Sequence, residues 1–337
     1  MVVYIHSTGT EFGFRGEDVV FDVPEWLEAL KYFISSVVSR CAVPGFFFMA
    51  AMFLYRKPFS WKANALKKIK TLLIPFLLLN TFWIFFSLLL KMTSSLPLLS
   101  NYFSDPSDSP ANWEAFRWFE AYLSNRYITL VPTWFMRDLF VLNLLAVFIL
   151  KILNAFPKIS AAVLVLAWLF VPEELYKSST WELQAICFFG LGCLFVRKNF
   201  KLEIFDRVPA LIHWGVYVAL VVADLLTRGK FFNLFIHRLG VIYGIIFWYS
   251  CATKFKAGGL KNFLLGFSAF NFSIYIFHEL MMSCVQKVFA RLFPATPTFQ
   301  LFLYIFVPMI IILYCVTLSV LLKKYFPRVY ALVTGDR

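Results

Sequence analysis

The clearest indication of the fold class of this chain is the stretch LLIPFLLLNTFWIFFSLLL, residues 72–90. It contains no charged side chain, and a helix needs about 20 mostly apolar residues to cross the hydrocarbon core of a bilayer. Its apolar residues do not alternate with polar ones, as the strands of an outer-membrane barrel require. The stretch therefore predicts a transmembrane helix.

The composition extends this prediction to the whole chain of 337 residues. Hydrophobic residues make up 61% and charged residues 15%, whereas a soluble domain has about 45–50% and about 25%. We predict an all-α, polytopic membrane helix bundle over residues 1–337, with no soluble domain and a partial first helix at the N-terminus. Nine full spans are expected, near residues 34–55, 71–91, 133–152, 159–172, 183–196, 208–226, 237–254, 263–286 and 299–322.

The net charge of +13 is interpreted as a sign of topology. Basic residues cluster in every second connection, and basic connections face the cytoplasm. We therefore expect a basic cytoplasmic loop at 56–70, a cytoplasmic C-terminus, and extracytoplasmic loops at 8–31 and 92–132 with an amphipathic piece at 113–124. We also expect a bacterial inner membrane as the location, membrane lipid as a partner, and no nucleic-acid partner.

Two titratable side chains stand out near the start of the chain. His6 ends an apolar run, where an imidazole can act as a general base toward a hydroxyl group. The alternative is an interfacial histidine that meets water. Arg40 lies on an apolar helix just before Pro44 and Gly45, which suggest a kink with freed carbonyls. It can bind one of these carbonyls, hold an anionic substrate group, or pair with an acidic residue.

The segment PTWFMRDLF, residues 132–140, opens a predicted span with three candidate residues. Trp134 suits a membrane interface, and Arg137 and Asp138 can position an acceptor in a wet cavity. Ordinary charges flanking a helix are the alternative. Adjacent residues on a helix point in different directions, so these two need not pair with each other.

The segment SIYIFHELM, residues 273–281, places Ser273, Tyr275, His278 and Glu279 on an otherwise apolar helix. The last three can share one face. Such a face lines a cavity or meets another helix, and His278 can act as an acid or base or orient a neighbour. The four histidines show no metal-binding spacing, so no metal is predicted.

Six segments, taken in order, resemble the membrane-bound acyltransferase-3 family, which modifies surface glycans. They are VVYIHS (2–7), RCAVPGFFFMAAMFLYRK (40–57), LKKIKTLLIPFLLLN (66–80), TWFMRDLFVLNLL (133–145), FFGLGCLFVRK (188–198) and LGFSAFNFSIYIFHELM (265–281). Two features depart from the family pattern. Its arginine ahead of the first-helix histidine has no counterpart, and its Ser-Gly pair in the second helix is Ala50-Ala51.

The resemblance implies a function and a set of site residues. It implies transfer of an acyl group, commonly acetyl from acetyl-CoA, to a hydroxyl of a surface glycan or lipid-linked sugar. It assigns the catalytic role to His6 and donor binding to Lys67 and Lys70. Arg40, Trp134, Arg137, Asp138, Ser273, Tyr275 and His278 are the residues expected to bind the acceptor or the oxyanion.

Two other readings of the sequence stay open. A transporter or flippase of a lipid-linked glycan would also have a mostly apolar composition, polar residues within its helices and a basic cytoplasmic face. Transporters often have two halves with matching broken helices, and no such symmetry is visible. The missing arginine ahead of His6 leads to the expectation of an N-terminally truncated copy, for which a non-catalytic family member is the third reading.

Overall fold

The structure is a computed structural model that describes residues 1–8, 11–14, 17–20, 23–56, 60–92, 110–124, 130–175, 182–200, 202–254, 258–294 and 296–336. Helices dominate these residues, because a backbone in lipid must satisfy its own hydrogen bonds. The α-helices are α1 Val2–Ile5, α2 Glu25–Lys31, α3 Ala42–Tyr55, α4 Trp61–Lys68, α5 Ile74–Met92, α6 Ala115–Leu123, α7 Trp134–Leu144, α8 Ala146–Ala155, α9 Pro157–Phe170, α10 Leu183–Arg197, α11 Ala210–Thr227, α12 Asn233–Lys254, α13 Gly259–Ser268, α14 Asn271–Leu292, α15 Pro297–Tyr325 and α16 Pro327–Thr334.

Shorter elements complete the described chain. Two π-helical segments, Tyr32–Val38 and Ile69–Leu73, continue α2 and α4. One antiparallel hairpin pairs β1 (Glu11–Phe14) with β2 (Glu17–Val20), with Glu11 opposite Val20. The 3₁₀ turns are Pro110–Asn112, Val131–Thr133, Glu173–Leu175 and Leu202–Arg207.

The membrane-embedded character of the chain is supported by its long helices. Among the described residues, five helical stretches are long and apolar enough to cross a membrane, and the bent α7–α8 pair makes six; the five are Glu25–Tyr55, Trp61–Leu89, Ala210–Thr227, Asn233–Lys254 and Pro297–Tyr325. The predicted number of nine spans is not confirmed. Helices α9 and α10 are apolar but shorter, and the predicted span 263–286 is divided between α13 and α14.

The outer face of α9 shows how these helices meet lipid. Ile159, Val163, Leu166 and Phe170 are each more than half exposed and recur every three or four residues. Residues at this spacing lie on one face of a helix. A continuous exposed apolar stripe marks contact with another apolar phase, so this face lies against lipid in a multi-pass membrane protein.

Two predicted loops contain helices. The loop 8–31 includes the hairpin, and α2 begins at Glu25, directly after Pro24 at its N-cap. The basic loop 56–70 holds α4 and the start of a π-helical segment, because the chain from residue 61 continues without a break into α5. In the loop 92–132, the amphipathic piece is confirmed as α6, while residues 93–109 and 125–129 lie outside the described residues.

The predicted span 133–152 is bent by 65° where α7 meets α8. A bend of this kind frees backbone carbonyls, which need donors inside a membrane. Trp61 Nε1 donates to the carbonyl of Leu144 at 2.8 Å, and Tyr55 Oη donates to that of Ala146 at 2.7 Å. Side chains of α3 and α4 therefore satisfy the bend.

The buried apolar residues form two clusters. One gathers residues of α1, α5, α14 and α15 around Ile276 and Val307. The other gathers α3, α7, α9, α10 and α12 around Phe47 and Phe189. Gly192 lets α10 approach α3, since a Cβ at this position would meet the backbone carbonyl of Phe48. The candidate site lies where the two clusters meet.

Candidate functional site

The short helix α1 carries His6 into the bundle. Ser35 Oγ donates to the carbonyl of Tyr4 at 2.6 Å, and Gln286 Nε2 donates to the carbonyl of Ser7 at 3.3 Å. These bonds tie the end of α1 to the π-helical segment 32–38 and to α14. His6 is therefore held among elements from both ends of the chain.

His6 faces a carboxylate and a second imidazole, both from α14. Its Nδ1 lies 3.3 Å from Oε2 of Glu279, and its ring centroid lies 5.1 Å from that of His278 in an edge-to-face arrangement. The side chains of His6 and Glu279 are each about one-fifth exposed. A carboxylate beside one ring nitrogen can orient an imidazole for proton transfer at the other nitrogen.

His278 is fixed by the backbone of its own helix. Its Nδ1 lies 2.8 Å from the carbonyl of Tyr275 and 3.0 Å from that of Ile274. Carbonyl oxygens only accept, so Nδ1 carries the proton and Nε2 holds a free lone pair. Among the described residues, Nε2 of His278 and Oε2 of Glu279 are buried and make no hydrogen bond, and Oε2 has only the 3.3 Å ion-pair contact with Nδ1 of His6. Leaving such atoms unpaired costs free energy, which is typical of a site that receives a ligand.

The same three side chains can also hold a metal ion. His6, His278 and Glu279 each offer one ligand atom, and these atoms lie within 4.8 Å of one another. Two histidines and a glutamate match the donor set of some catalytic zinc sites. Nε2 of His278 and Oε2 of Glu279, which make no hydrogen bond among the described residues, could both bind such an ion. No metal was predicted because the histidines show no metal-binding spacing in the sequence. A cluster that joins His6 to His278 and Glu279 shows no such spacing, because its residues come from distant segments.

A cavity of about 230 Å³ with both polar and apolar walls opens beside His6. Its walls come from α1, the start of α3, the turn before α7, the start of α10, and α14. The lining residues are Val2, Ile5, His6, Arg40, Val43, Val131, Pro132, Trp134, Phe135, Glu182, Gln184 and Tyr275. The structure thus brings together four of the predicted site residues: His6, Arg40, Trp134 and Tyr275.

Arg40 lines this cavity from a break between the π-helical segment 32–38 and α3. The π-helical segment ends at Val38, and α3 begins at Ala42, so Arg40 lies in the turn between them. The break precedes Pro44, where the predicted kink was expected. A proline fits the first turn of a helix because the amide there needs no intrahelical acceptor. The turn leaves Arg40 exposed at the cavity.

Arg137 and Asp138 lie behind the cavity. They are almost fully buried, and Nε and Nη2 of Arg137 donate to Oδ1 of Asp138 at 2.9 and 2.6 Å. Nη1 of Arg137 donates to the carbonyl of Leu123 at 2.6 Å. The long arginine side chain folds back onto its neighbour, although adjacent residues point apart on a helix. Neither residue lines the cavity, where both were predicted to bind the acceptor.

Asp138 instead positions an acidic residue that does line the cavity. Its Oδ2 accepts the backbone N–H of Glu182 at 3.2 Å, just before α10 begins. Gln184 donates to Oε2 of Glu182 at 3.4 Å. Burial raises the pKa of Glu182, and the Asp138 carboxylate raises it further. Glu182 therefore accepts a proton more readily than a surface glutamate does.

The remaining predicted residues have different positions. Tyr275 lines the cavity with its hydroxyl donating to the carbonyl of Pro132. Trp134 packs against both apolar clusters. Ser273 lies outside the cavity, because its hydroxyl is buried against Tyr330 Oη of α16 at 3.1 Å. It joins two helices and does not meet the acceptor space, where it was predicted.

Lys67 and Lys70 lie exposed on the helical stretch that begins at Trp61. Trp61 contacts the end of α7 at Leu144, and the two lysines follow it by six and nine residues. Neither lysine is among the residues that line the cavity.

Three side chains of the site were missing from the predicted set: Glu279, Glu182 and Gln184. Glu279 gave a signal, since it shares a helical face with Tyr275 and His278. Glu182 and Gln184 gave none, because they lie at the edge of an apolar span where polar residues are common. Only the packing of α10 against α7 brings them to the cavity.

Comparison with known proteins identifies the family of this chain. No curated protein and no solved structure matched the chain. The family described as an acyltransferase domain, acyltransferase-3, matches residues 1–322, which covers nearly the whole chain and every residue of the candidate site. The chain therefore belongs to the acyltransferase-3 family.

Proposed function

We propose that this chain is an O-acyltransferase of the bacterial inner membrane. It moves an acyl group, acetyl in the simplest case, from cytoplasmic acyl-CoA to a hydroxyl of an extracytoplasmic glycan or glycolipid. The observation that carries the proposal is His6, which lies beside a carboxylate at the wall of a cavity that Arg40, Glu182 and Gln184 also line. The family match supports the transferase class.

In the proposed reaction, His6 is the general base. Its Nδ1 faces Glu279, so Nε2 is the ring nitrogen that takes the proton of the acceptor hydroxyl. The hydroxyl oxygen attacks the thioester carbonyl carbon, the carbon–sulfur bond breaks, and the proton passes from the imidazolium to the departing thiolate. Glu279 holds the ring in place and stabilises its charged form, as a buried carboxylate does for a catalytic imidazole.

The cavity supplies the groups that bind the reactants. Arg40 can stabilise the negative charge that develops on the carbonyl oxygen. Trp134 and Phe135 offer aromatic faces, and Glu182 and Gln184 offer hydrogen-bonding groups of the kind that hold sugar hydroxyls. Arg137 and Asp138 support Glu182 from behind.

The donor is proposed to arrive from the opposite side of the membrane. By the positive-inside rule, the basic connections and the C-terminus are cytoplasmic. Lys67 and Lys70 can bind the phosphates of acyl-CoA there as point charges. The acyl group would then cross the bundle from the basic face to the cavity at His6.

Vesicles that hold the purified protein test this proposal. With [¹⁴C]acetyl-CoA on one side and glycan acceptor on the other, labelled glycan is expected. Since a general base contributes about 10² to 10⁴ in rate, His6→Ala should reduce labelling by that factor. His213→Ala is the control, because His213 lies on α11 against Tyr243, away from the cavity. Equal labelling by wild type and His6→Ala would refute the role of His6, and unmodified glycan crossing the bilayer would favour a carrier.

A further inference from the structure

A second, larger cavity of about 580 Å³ lies between α3, α9, α10 and α12. It shares no lining residue with the cavity at His6. Its walls are almost wholly apolar, with Phe48, Phe188, Leu191, Ile242 and Ile246 among them. An apolar cavity of this kind accepts a hydrocarbon chain and repels a polar substrate.

The charged residues that line this cavity are both lysines. Lys158 lies in the first turn of α9, and Lys198 is the C-cap of α10. Both are exposed, and both lie where their helices meet at the same end of the cavity. Glu203 and Asp206 lie in the adjacent 3₁₀ turn without lining the cavity, and Asp206 accepts a hydrogen bond from Thr253.

The length of the cavity matches one leaflet. From Phe188 to Lys198, its wall on α10 is about 15 Å long at 1.5 Å per residue. From Lys158 to Val165, its wall on α9 is about 10 Å long by the same rise. The hydrocarbon core of a bilayer is about 30 Å thick, so one leaflet contributes about 15 Å. The cavity therefore runs from the boundary marked by the two lysines toward the middle of the membrane.

We propose that this cavity binds an anionic phospholipid from the leaflet that adjoins Lys158 and Lys198. One acyl chain enters the cavity, and the two ammonium groups bind the phosphate and the anionic headgroup. The apolar walls supply contact area for the chain, whereas the lysines select the charge. Basic residues at the boundary of an apolar cleft recognise anionic lipids in this way. The site is independent of the acyl transfer proposed above.

Native mass spectrometry of the full chain in detergent tests the headgroup selection. Each basic residue near an anionic lipid surface contributes about 5-fold in binding, so with its two lysines wild type should retain phosphatidylglycerol about 25-fold better than phosphatidylcholine. Lys158→Gln/Lys198→Gln should lose most of this preference. Lys151→Gln/Lys323→Gln is the matched control, because it removes two exposed lysines that do not line the cavity.

A phosphatidylglycerol with a photoreactive group on its acyl chain tests the position of the chain. Crosslinks are expected on residues 188–195 of α10 or 242–249 of α12. Leu191→Trp, which fills the cavity, should remove them while the protein elutes as a monodisperse peak. Equal retention of both lipids by wild type, an unchanged preference in Lys158→Gln/Lys198→Gln, or crosslinks confined to other helices would overturn the proposal.

Discussion

Two histidine–carboxylate pairs lie among the described residues, and they differ in what surrounds them. In the first, Nδ1 of His6 lies 3.3 Å from Oε2 of Glu279. In the second, Nδ1 of His237 lies 2.8 Å from Oδ2 of Asp224. The first pair lies beside the cavity at His6, whereas the second joins α11 to α12.

The Asp224 pair is satisfied by its neighbours. Tyr32 Oη donates to Oδ1 of Asp224 at 2.7 Å, and Asn233 Nδ2 donates to the same atom at 2.8 Å. The Glu279 pair contrasts with it, because within the described part of the chain Nε2 of His278 makes no hydrogen bond and Oε2 of Glu279 has only its 3.3 Å contact with His6. A buried polar cluster with all its bonds made holds helices together. One with bonds unmade is prepared for a ligand, since its atoms gain partners only when something binds.

The largest expected effect comes from Glu279→Gln. Removing the charge of a carboxylate that orients a catalytic imidazole costs about 10⁴ in turnover in a comparable arrangement. We expect acyl transfer to fall by about 10² to 10⁴, with little change in thermal stability, because glutamine has the same shape. Turnover in vesicles and the unfolding midpoint in detergent measure the two effects. Acyl transfer by Glu279→Gln within three-fold of wild type would contradict a catalytic role for the His6–Glu279 pair.

Asp224→Ala should produce the opposite pattern. It leaves the donors of Tyr32, Asn233 and His237 without their buried acceptor, which costs about 2–4 kcal/mol in the free energy of unfolding. Acyl transfer per folded molecule should stay within about three-fold of wild type. Thermal unfolding followed by size-exclusion chromatography measures the loss. Glu174→Ala, at an exposed position, is the control. An unchanged midpoint would show that the network does not hold α11 to α12.

Ser273→Ala should have the smallest effect. Its hydroxyl is buried and paired with Tyr330 Oη, so its loss should lower stability by about 1 kcal/mol. Acyl transfer should remain unchanged, because Ser273 does not line the cavity. A ten-fold loss of transfer at equal stability would place Ser273 back among the residues that act on the acceptor.

Much of the fold was predictable because apolar length is a local property. Residues 72–90 must form a helix in lipid whatever surrounds them, and residues 72–89 lie within the stretch Trp61–Leu89 that is apolar enough to span. The bend between α7 and α8 was not predictable. It depends on Trp61 and Tyr55, which donate to carbonyls far along the chain.

The candidate site was predictable in part. His6, Arg40 and Tyr275 were singled out as polar groups in apolar segments, and Trp134 as an aromatic residue at a membrane interface. The structure gathers these four around one cavity. Arg137 was misplaced for a physical reason. Its side chain is long enough to fold back onto the next residue, and helical directions alone do not reveal this.

The amino-acid sequence by itself determined that the chain is embedded in lipid and that an imidazole stands at the end of its first apolar segment. Both follow from local hydrophobicity, which needs no knowledge of neighbours. The packing of the helices determines which carboxylate contacts which histidine. Glu279 contacts His6 from the other end of the chain. Asp224 is stabilised by hydrogen bonds from the π-helical segment 32–38 and from α12. Such pairings depend on helix packing, where many weak contacts act together and no single segment specifies the result.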